Sequence, residues 1–559
     1  MLGRTLQNPQ AGSGGAFIQL NDVPASYAGF KGCTPIVSAG EAGLVFGPRS
    51  FPVEMFGAVG DAQFKNDGAM TSGSNVVTAS TSAPFAAGDV GKALVIPGAG
   101  AAGVQLQGTI TSYIGPTQVQ ISVNASTTVS AQRFVWGTDN TLPFQNAIDA
   151  AKSGFGGRVI CRSGTPYLIT GYLTMNSSLR TPVVLSGDVE GPCTPYNFST
   201  TFPLIYFTNK SNMAIQMGWN TTVQNLAFFY PTQMPLTDTS QTIQPWVFPA
   251  TIQLRGACTI ARCTFINSYD AIGVGTVVND GGHASRIIDN HVGAFNIGFR
   301  LDMTRDVCYF HNNHHWVFYN IFENFWQAFT DQSRWSNFTL DGPCGMEICG
   351  ADQVIISNFF TLGKQTGLRI KSSPYAQGGL EQSYGIGSNF HFDLACVGID
   401  VTRTNSFGWS FTNIGWTGGD TGGVGGVPPP GGSSGAYYYL VRVAGISRVK
   451  VIGGTGGQNK AQSWQIAKQA GTNSKLHAET VINYNPVGLL TSPGVPASGV
   501  ALLNDFPVSC RVHVAGGTVT EISINGAVTG LMSGVFILEP DETITLTYSA
   551  APTWTWFGL

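Results

Sequence analysis

A chain of 559 residues is far longer than one ordinary core requires, so it is either several domains or one elongated repetitive architecture. Composition favours the second: 11% of residues are charged against about 25% in typical domains, and the 72 glycines make up roughly 13% against about 7%. The net charge of -3 comes with no basic tract, which argues against nucleic-acid partners, and no apolar run approaches the roughly 20 residues of a membrane span.

Residues 1–50 are rich in Gly, Ala, Ser and Pro and are expected to be extended. No signal-peptide pattern opens the sequence, so an extracellular role implies release by another route. From about 66 to 136, alternating runs such as NVVTAS, GKALVIP, GTITSYI and TQVQISV predict a small β-domain. A single helix is expected over Asp139 to Ser153, where Phe144, Ala147, Ile148 and Ala151 fall at helical spacing.

The middle of the chain repeats. The triplet Ser-Asn-Phe occurs at 336–338, 357–359 and 388–390, and the steps from Asn290, Asn337, Asn358 and Asn389 to Gly298, Gly345, Gly367 and Gly398 are 8, 8, 9 and 9 residues. After each small residue comes an in-out-in strand: Phe299-Arg300-Leu301, Met346-Glu347-Ile348, Leu368-Arg369-Ile370 and Ile399-Asp400-Val401. An earlier segment fits with Cys263 in the Asn slot, Ala271 in the Gly slot and Ile272-Gly273-Val274 as the strand. Units of strand, turn and strand with no helix cannot bury an apolar face alone, whereas stacking them in parallel does, about 4.8 Å apart. An ordinary antiparallel sandwich would show hairpin signals instead of a constant Asn-to-Gly step. The expected fold is all-β, a right-handed parallel β-helix. The Gly/Pro tract at 420–436 is a long loop, either lid or spacer, and alternation after about 497 predicts a separate antiparallel module. The ten cysteines show neither CxxC nor zinc spacing and are read as buried free thiols.

Three stretches, MFGAVGD (55–61), GTDNTLPFQNAIDAA (137–151) and GGRVICRSGTPYLITGYLTM (156–175), resemble the N-terminal end of the pectate-lyase-like β-helix superfamily. There a short strand and a helix cap the solenoid, which makes 66–136 an insertion. NLAFFYPTQMP (225–235), FPATIQLRG (248–256), NNHHW (312–316) and the C-terminal EPDETITLTYSAAPTWTWFGL look like phage tailspike depolymerases of that superfamily. The resemblance implies a division into 1–50, 51–175, a β-helix over 176–496 and a closing module over 497–559. It further implies a homotrimer on a virion tail that binds or cuts a bacterial surface polysaccharide. Only about 50 residues precede the first of these motifs, so attachment through a short peptide or a virion adaptor protein is expected. No single catalytic set is implied, because superfamily members place acids in different grooves.

Stacking the repeats puts outward residues in columns. The first outward slot holds Gly273, Arg300, Glu347, Arg369 and Asp400, with Thr330 between Arg300 and Glu347 if the longer segment is in register; the next holds Gly275, Asp302, Gln332, Cys349, Lys371 and Thr402. Glycoside hydrolysis needs one protonated and one ionised carboxyl, and Glu347 and Asp400, two coils apart, would lie about 9.6 Å from each other, at the edge of the inverting range. Glu347 is then the acid and Asp400 the base, with Asp302 and Asp306 as further candidates. Arg369 between the pair lowers both pKa values and opposes the acid role. A charge ladder that merely neutralises itself is the competing reading. The longest repeat, 301–335, carries His311, His314, His315, Trp316, Trp326 and Arg334, and with Arg300, Arg369 and Lys371 these are the residues expected to grip sugar. No metal site is expected for a hydrolase. A polysaccharide lyase on the same fold would instead use Arg300, Arg369, Lys371 or a histidine, with Ca²⁺ held by Asp302 and Asp306. A spike that binds without cutting is the third alternative.

Overall fold

The computed structural model describes residues 50–153, 156–164, 166–176, 180–190, 202–233, 246–274, 283–316, 342–375, 382–395, 397–418, 439–457, 474–481 and 488–559, with residue 319 and the strands Thr34–Val37, Leu44–Gly47 and Ile466–Lys468. Ser50–Pro52 pairs in parallel with Gly157–Cys161 and begins the solenoid. Helix Thr141–Ser153 covers its first coil, burying Phe144, Ala147, Ile148 and Ala151 on one face. Asp139 starts the helix by accepting the Thr141 N–H at 3.0 Å. Between strand and helix, the strands Gln63–Met70, Val76–Ala79, Ala93–Ile96, Leu106–Gly115, Gln118–Ile121 and Val129–Gly137 close into a small antiparallel barrel around Phe85, Phe134 and Trp136.

Among the described residues the solenoid is a right-handed parallel β-helix of two sheets, one of 18 strands and one of ten. The larger wraps two sides of each coil. In the later coils single strands, Gln353–Leu362, Tyr384–Ala395 and Trp409–Gly418, run through both sides and bend at Asn358, Asn389 and Asn413, each left-handed at φ 53°, 57° and 55°. Asparagine suits this bend because its short amide tolerates the conformation and bonds its neighbour on the next rung. Asn389 donates to Asn358 Oδ1 at 3.0 Å, and Asn413 donates to Asn389 Oδ1 at 3.2 Å. The Ser-Asn-Phe triplets at 357 and 388 are therefore equivalent rungs, with Ser357 opposite Ser388 and Phe359 opposite Phe390. The triplet at 336 lies outside the described residues.

The glycine slot has a different cause. A Cβ on Gly298, Gly345, Gly367 or Gly398 would come within 2.5 to 2.7 Å of the carbonyl oxygen of Gly345, Gly367, Gly398 or Leu440 on the next coil, closer than any side chain permits. Inward residues Phe299, Met346, Leu368, Ile399 and Val441 are wholly buried in one continuous core.

Two register expectations need correction. In the earlier coils the left-handed column is Arg262, Asp289 and Asn312, so Asn290 and Cys263 sit one residue beyond the slot assigned to them. Asn290 instead forms a buried inner rung, donating to Asn313 Oδ1 at 2.9 Å. Arg300 also pairs directly with Glu347 with no rung between them, and Thr330, expected in that slot, lies outside the described residues. The extra length falls between Trp316 and Cys344.

At the C-terminal end, two four-stranded antiparallel sheets within 488–559 enclose Val512, Ile522, Phe536, Leu546 and Trp556. The seven described cysteines are all buried free thiols, and no helix among the described residues is long and apolar enough to cross a membrane.

Candidate active site and carbohydrate surface

The ten-stranded sheet carries the charged column. Arg300, Glu347, Arg369 and Asp400 stand on successive strands in the register read from the repeat, and Arg442 continues them one coil further. Arg442 was legible too, since Val441-Arg442-Val443 repeats the in-out-in pattern beyond the Gly/Pro tract.

The column is ion-paired and mostly buried. Glu347 Oε1 accepts from Arg300 Nε at 2.9 Å, and its Oε2 meets Arg369 Nη1 at 3.0 Å and Lys371 Nζ at 3.2 Å. Arg369 also donates to the Gly342 carbonyl at 2.7 Å. Asp400 is gripped by both prongs of Arg442, at 2.6 and 3.0 Å. Glu347, Arg369 and Asp400 are each no more than 2% exposed, whereas the Arg300 and Lys371 side chains are 32% and 28% exposed. Burial alone would raise the Glu347 pKa, but the three cations outweigh it and hold the carboxyl below its usual range. A carboxyl held ionised cannot donate a proton, so the geometry turns Glu347 from the expected acid into an anchor for Arg300 and Lys371. Asp400, closed off by Arg442, likewise presents no free oxygen to a substrate water.

Two other carboxyls show the opposite behaviour. Asp302 is wholly buried, and burial pushes its pKa up even though Oδ1 accepts the N–H groups of Met303 at 2.8 Å and Gly350 at 3.0 Å. Asp270, on the turn before Ile272–Val274, is half-buried, and desolvation with the nearby Glu347 charge raises its pKa against the opposing pull of Arg300. Its Oδ1 is fixed by Asn296 Nδ2 at 2.8 Å and the Ile297 N–H at 3.0 Å. Sequence reading passed over Asp270 because it stands outside the in-out-in strand. Asp306 is exposed and bonds its neighbouring Val307 N–H at 2.8 Å, so it and Asp302 bind different backbone groups rather than a common ligand. Among the described residues no three His, Cys, Asp or Glu side chains gather as metal ligands would.

The adjoining face of the larger sheet carries flat rings. His291, His314, Phe360 and His391 lie opposite one another on four successive strands. His314 stacks on Trp316 with ring centroids 5.6 Å apart, and meets Phe360 edge-on at 4.6 Å. Phe360 and His391 are parallel within 4° at 5.4 Å, and Tyr319 stacks on His291 at 4.9 Å. His391 is exposed, and His291, His314, Trp316 and Phe360 are half-buried. His311, also exposed, bonds the Ser357 hydroxyl at 2.7 Å on another face. His315 is the clear correction: it is wholly buried, points inward beside Gly298, and cannot grip substrate. Trp326 and Arg334 lie outside the described residues.

Burial and the neighbouring His291 push the His314 pKa down to about 4, and burial with the Lys364 charge holds that of His315 well below its usual value. Both are uncharged at neutral pH. Because the unfolded chain takes up these protons near pH 6.5, their contribution to stability is intact above that pH and is lost as pH falls towards 4. His314→Phe should therefore flatten the fall in thermal midpoint between pH 6.5 and 4, measured against the wild type; parallel curves would contradict the assignment.

No protein-family model matches the chain, and no curated protein matches it. Among solved structures, the pre-mature gene product 12 of bacteriophage phi29 aligns at 13% identity and TM-score 0.40, covering 62% of this chain and 43% of that one. The phiAB6 tailspike, solved with oligosaccharides of an Acinetobacter baumannii surface polysaccharide, gives 13% identity and TM-score 0.32, with 66% and 50% covered. A mutant tailspike of the E. coli bacteriophage HK620, in complex with a pentasaccharide, gives 9%, 0.32, 75% and 89%. The chain thus spans half or less of the first two proteins.

Proposed function

We propose that the protein is a phage tailspike-type depolymerase that binds and cleaves a bacterial capsular polysaccharide or exopolysaccharide by glycoside hydrolysis. The observation that carries this reading is the in-register row of His291, His314, Phe360 and His391. Sugar rings present C–H faces that pack on flat rings, and rungs about 4.8 Å apart run along the solenoid axis as a polymer would. Replacing Phe360 or His391 by Ala should raise KM roughly fivefold for each ring, at about 1 kcal/mol, and leave kcat unchanged.

Asp270 serves as the general acid. It is half-buried yet reached from outside, and desolvation raises its pKa, the direction that favours a carboxyl able to give a proton to the leaving oxygen. Asp302, the other carboxyl of raised pKa, is wholly buried and fails on access, and Arg300 and Lys371 contact hydroxyl or acidic groups of the sugar. Glu347 acts as a positioning residue through those two cations. Hydrolysis is preferred to elimination because Asp270 offers a carboxyl of raised pKa within reach of substrate, whereas the lysine whose pKa is depressed towards neutrality fails on access. Lys364 has its pKa pushed down to about 7 by burial, but it is 2% exposed and donates to the Phe295 carbonyl at 2.8 Å. A homotrimer on a virion tail, joined directly or through an adaptor protein, completes the proposal.

The test is incubation with purified polysaccharide from a strain whose surface the protein binds, following viscosity and near-ultraviolet absorbance. A fall in viscosity without new absorbance is expected. Absorbance from a new C=C bond would establish elimination instead, and constant viscosity would establish a spike that only binds.

A further inference from the structure

On the side of the coils that precedes the Asn bend, where the last coils meet the C-terminal module, the surface opens into a cleft of about 490 Å³. Its apolar wall is unusual. Phe407 is 80% exposed and Ile386 50% exposed, and Tyr384 lies beside Phe407 with ring centroids 5.3 Å apart. The turn that carries Phe407 is pinned, because Asn405 Oδ1 accepts the backbone N–H groups of Phe407 at 2.9 Å and Gly408 at 3.2 Å. A large ring presented to water on a pinned turn gains little in the free protein and is suited to a ligand.

The other wall is cationic. Arg448, Lys450 and Lys475 line the cleft with His477, Gln353 and Ser410. Lys475 pairs with Asp541 at 3.4 Å and Lys450 with Glu479 at 3.2 Å, both pairs partly exposed. Arg448, which is exposed, has no carboxylate partner among the described residues. One cation is left in excess beside the exposed aromatic pair.

We infer that this cleft is a second saccharide site, one that takes a carboxylate-bearing sugar, with the Arg448 guanidinium on the carboxylate and Phe407 and Tyr384 against the ring. A fork-shaped guanidinium matches a carboxylate, and a ring face covers the C–H side of the sugar. Neither the charged column nor the row of rings belongs to this site. A second copy of the chain is the competing occupant, but a concave wall with exposed charges fits an acidic sugar better than an apolar subunit face.

The inference rests on the polysaccharide reading above, and the two fail differently. Binding is measured by calorimetry on the full chain with four acidic probes: trigalacturonate, trimannuronate, glucuronate and N-acetylneuraminate, with maltotriose as the neutral control. At least one acidic probe should bind, weaken with added salt, and lose at least tenfold in affinity in both Arg448→Ala and Phe407→Ala, while polymer cleavage at saturating substrate is unchanged. Failure of all four acidic probes would overturn the inference, as would affinity unchanged in Arg448→Ala. It would also fall if light scattering showed Phe407→Ala to break an oligomer held by this cleft. Binding with no cleavage of any polymer would sink the depolymerase reading alone.

Discussion

Glu347→Gln should destabilise the protein by about 3–5 kcal/mol, the range found when one partner of a buried ion pair is removed. The cost arises at Arg369, 1% exposed, whose guanidinium would keep its charge and lose its carboxylate at 3.0 Å. Arg300 and Lys371, each about a third exposed, turn towards water and contribute less. The double substitution Glu347→Leu with Arg369→Leu should recover most of the loss, because two apolar side chains of similar volume need no counter-charge. Chemical denaturation of the three proteins separates the outcomes. A Gln variant as stable as wild type would mean that water or another group neutralises Arg369.

The second large effect is catalytic. Asp270→Asn should lower kcat on the polymer by about 10² to 10⁴, the typical contribution of a positioned general acid, with KM and thermal midpoint little changed. Asparagine can still accept the Asn296 and Ile297 donors that fix the side chain, so the fold does not depend on the charge. It cannot deliver a proton. Asp306→Asn, on an exposed turn, should leave the rate unaltered.

Much of this arrangement was legible in the sequence because a solenoid converts spacing into position. The Asn-to-Gly step fixed which residues share a rung, and the Arg300, Glu347, Arg369 and Asp400 column follows from it directly. The same logic would have found the row of rings. His314, Phe360 and His391 each stand two residues beyond the left-handed Asn of their coil, at Asn312, Asn358 and Asn389, and this parity also sends His315 inward. The off-by-one at Asn290 had a physical origin: asparagine fills both the bend and the buried rung beside it, so identity alone does not tell the two apart. The burial of Glu347 and Asp400 was not legible. Period 2 tells which residues leave the core, but not whether long connections and opposing cations then seal them from water. Asp270 was missed for a related reason, since its raised pKa comes chiefly from desolvation at a corner of the coil rather than from its place in a strand.

The most direct measurement of the central claim is the mass of the products from one incubation, with wild type and Asp270→Asn acting on the polysaccharide of a strain that both proteins bind. Wild type should yield saturated oligosaccharides that are whole multiples of the repeat unit, and Asp270→Asn should leave the polymer at its starting length while still bound to it. Equal fragments from both proteins would contradict Asp270 as the acid, and an intact polymer from both would contradict cleavage itself.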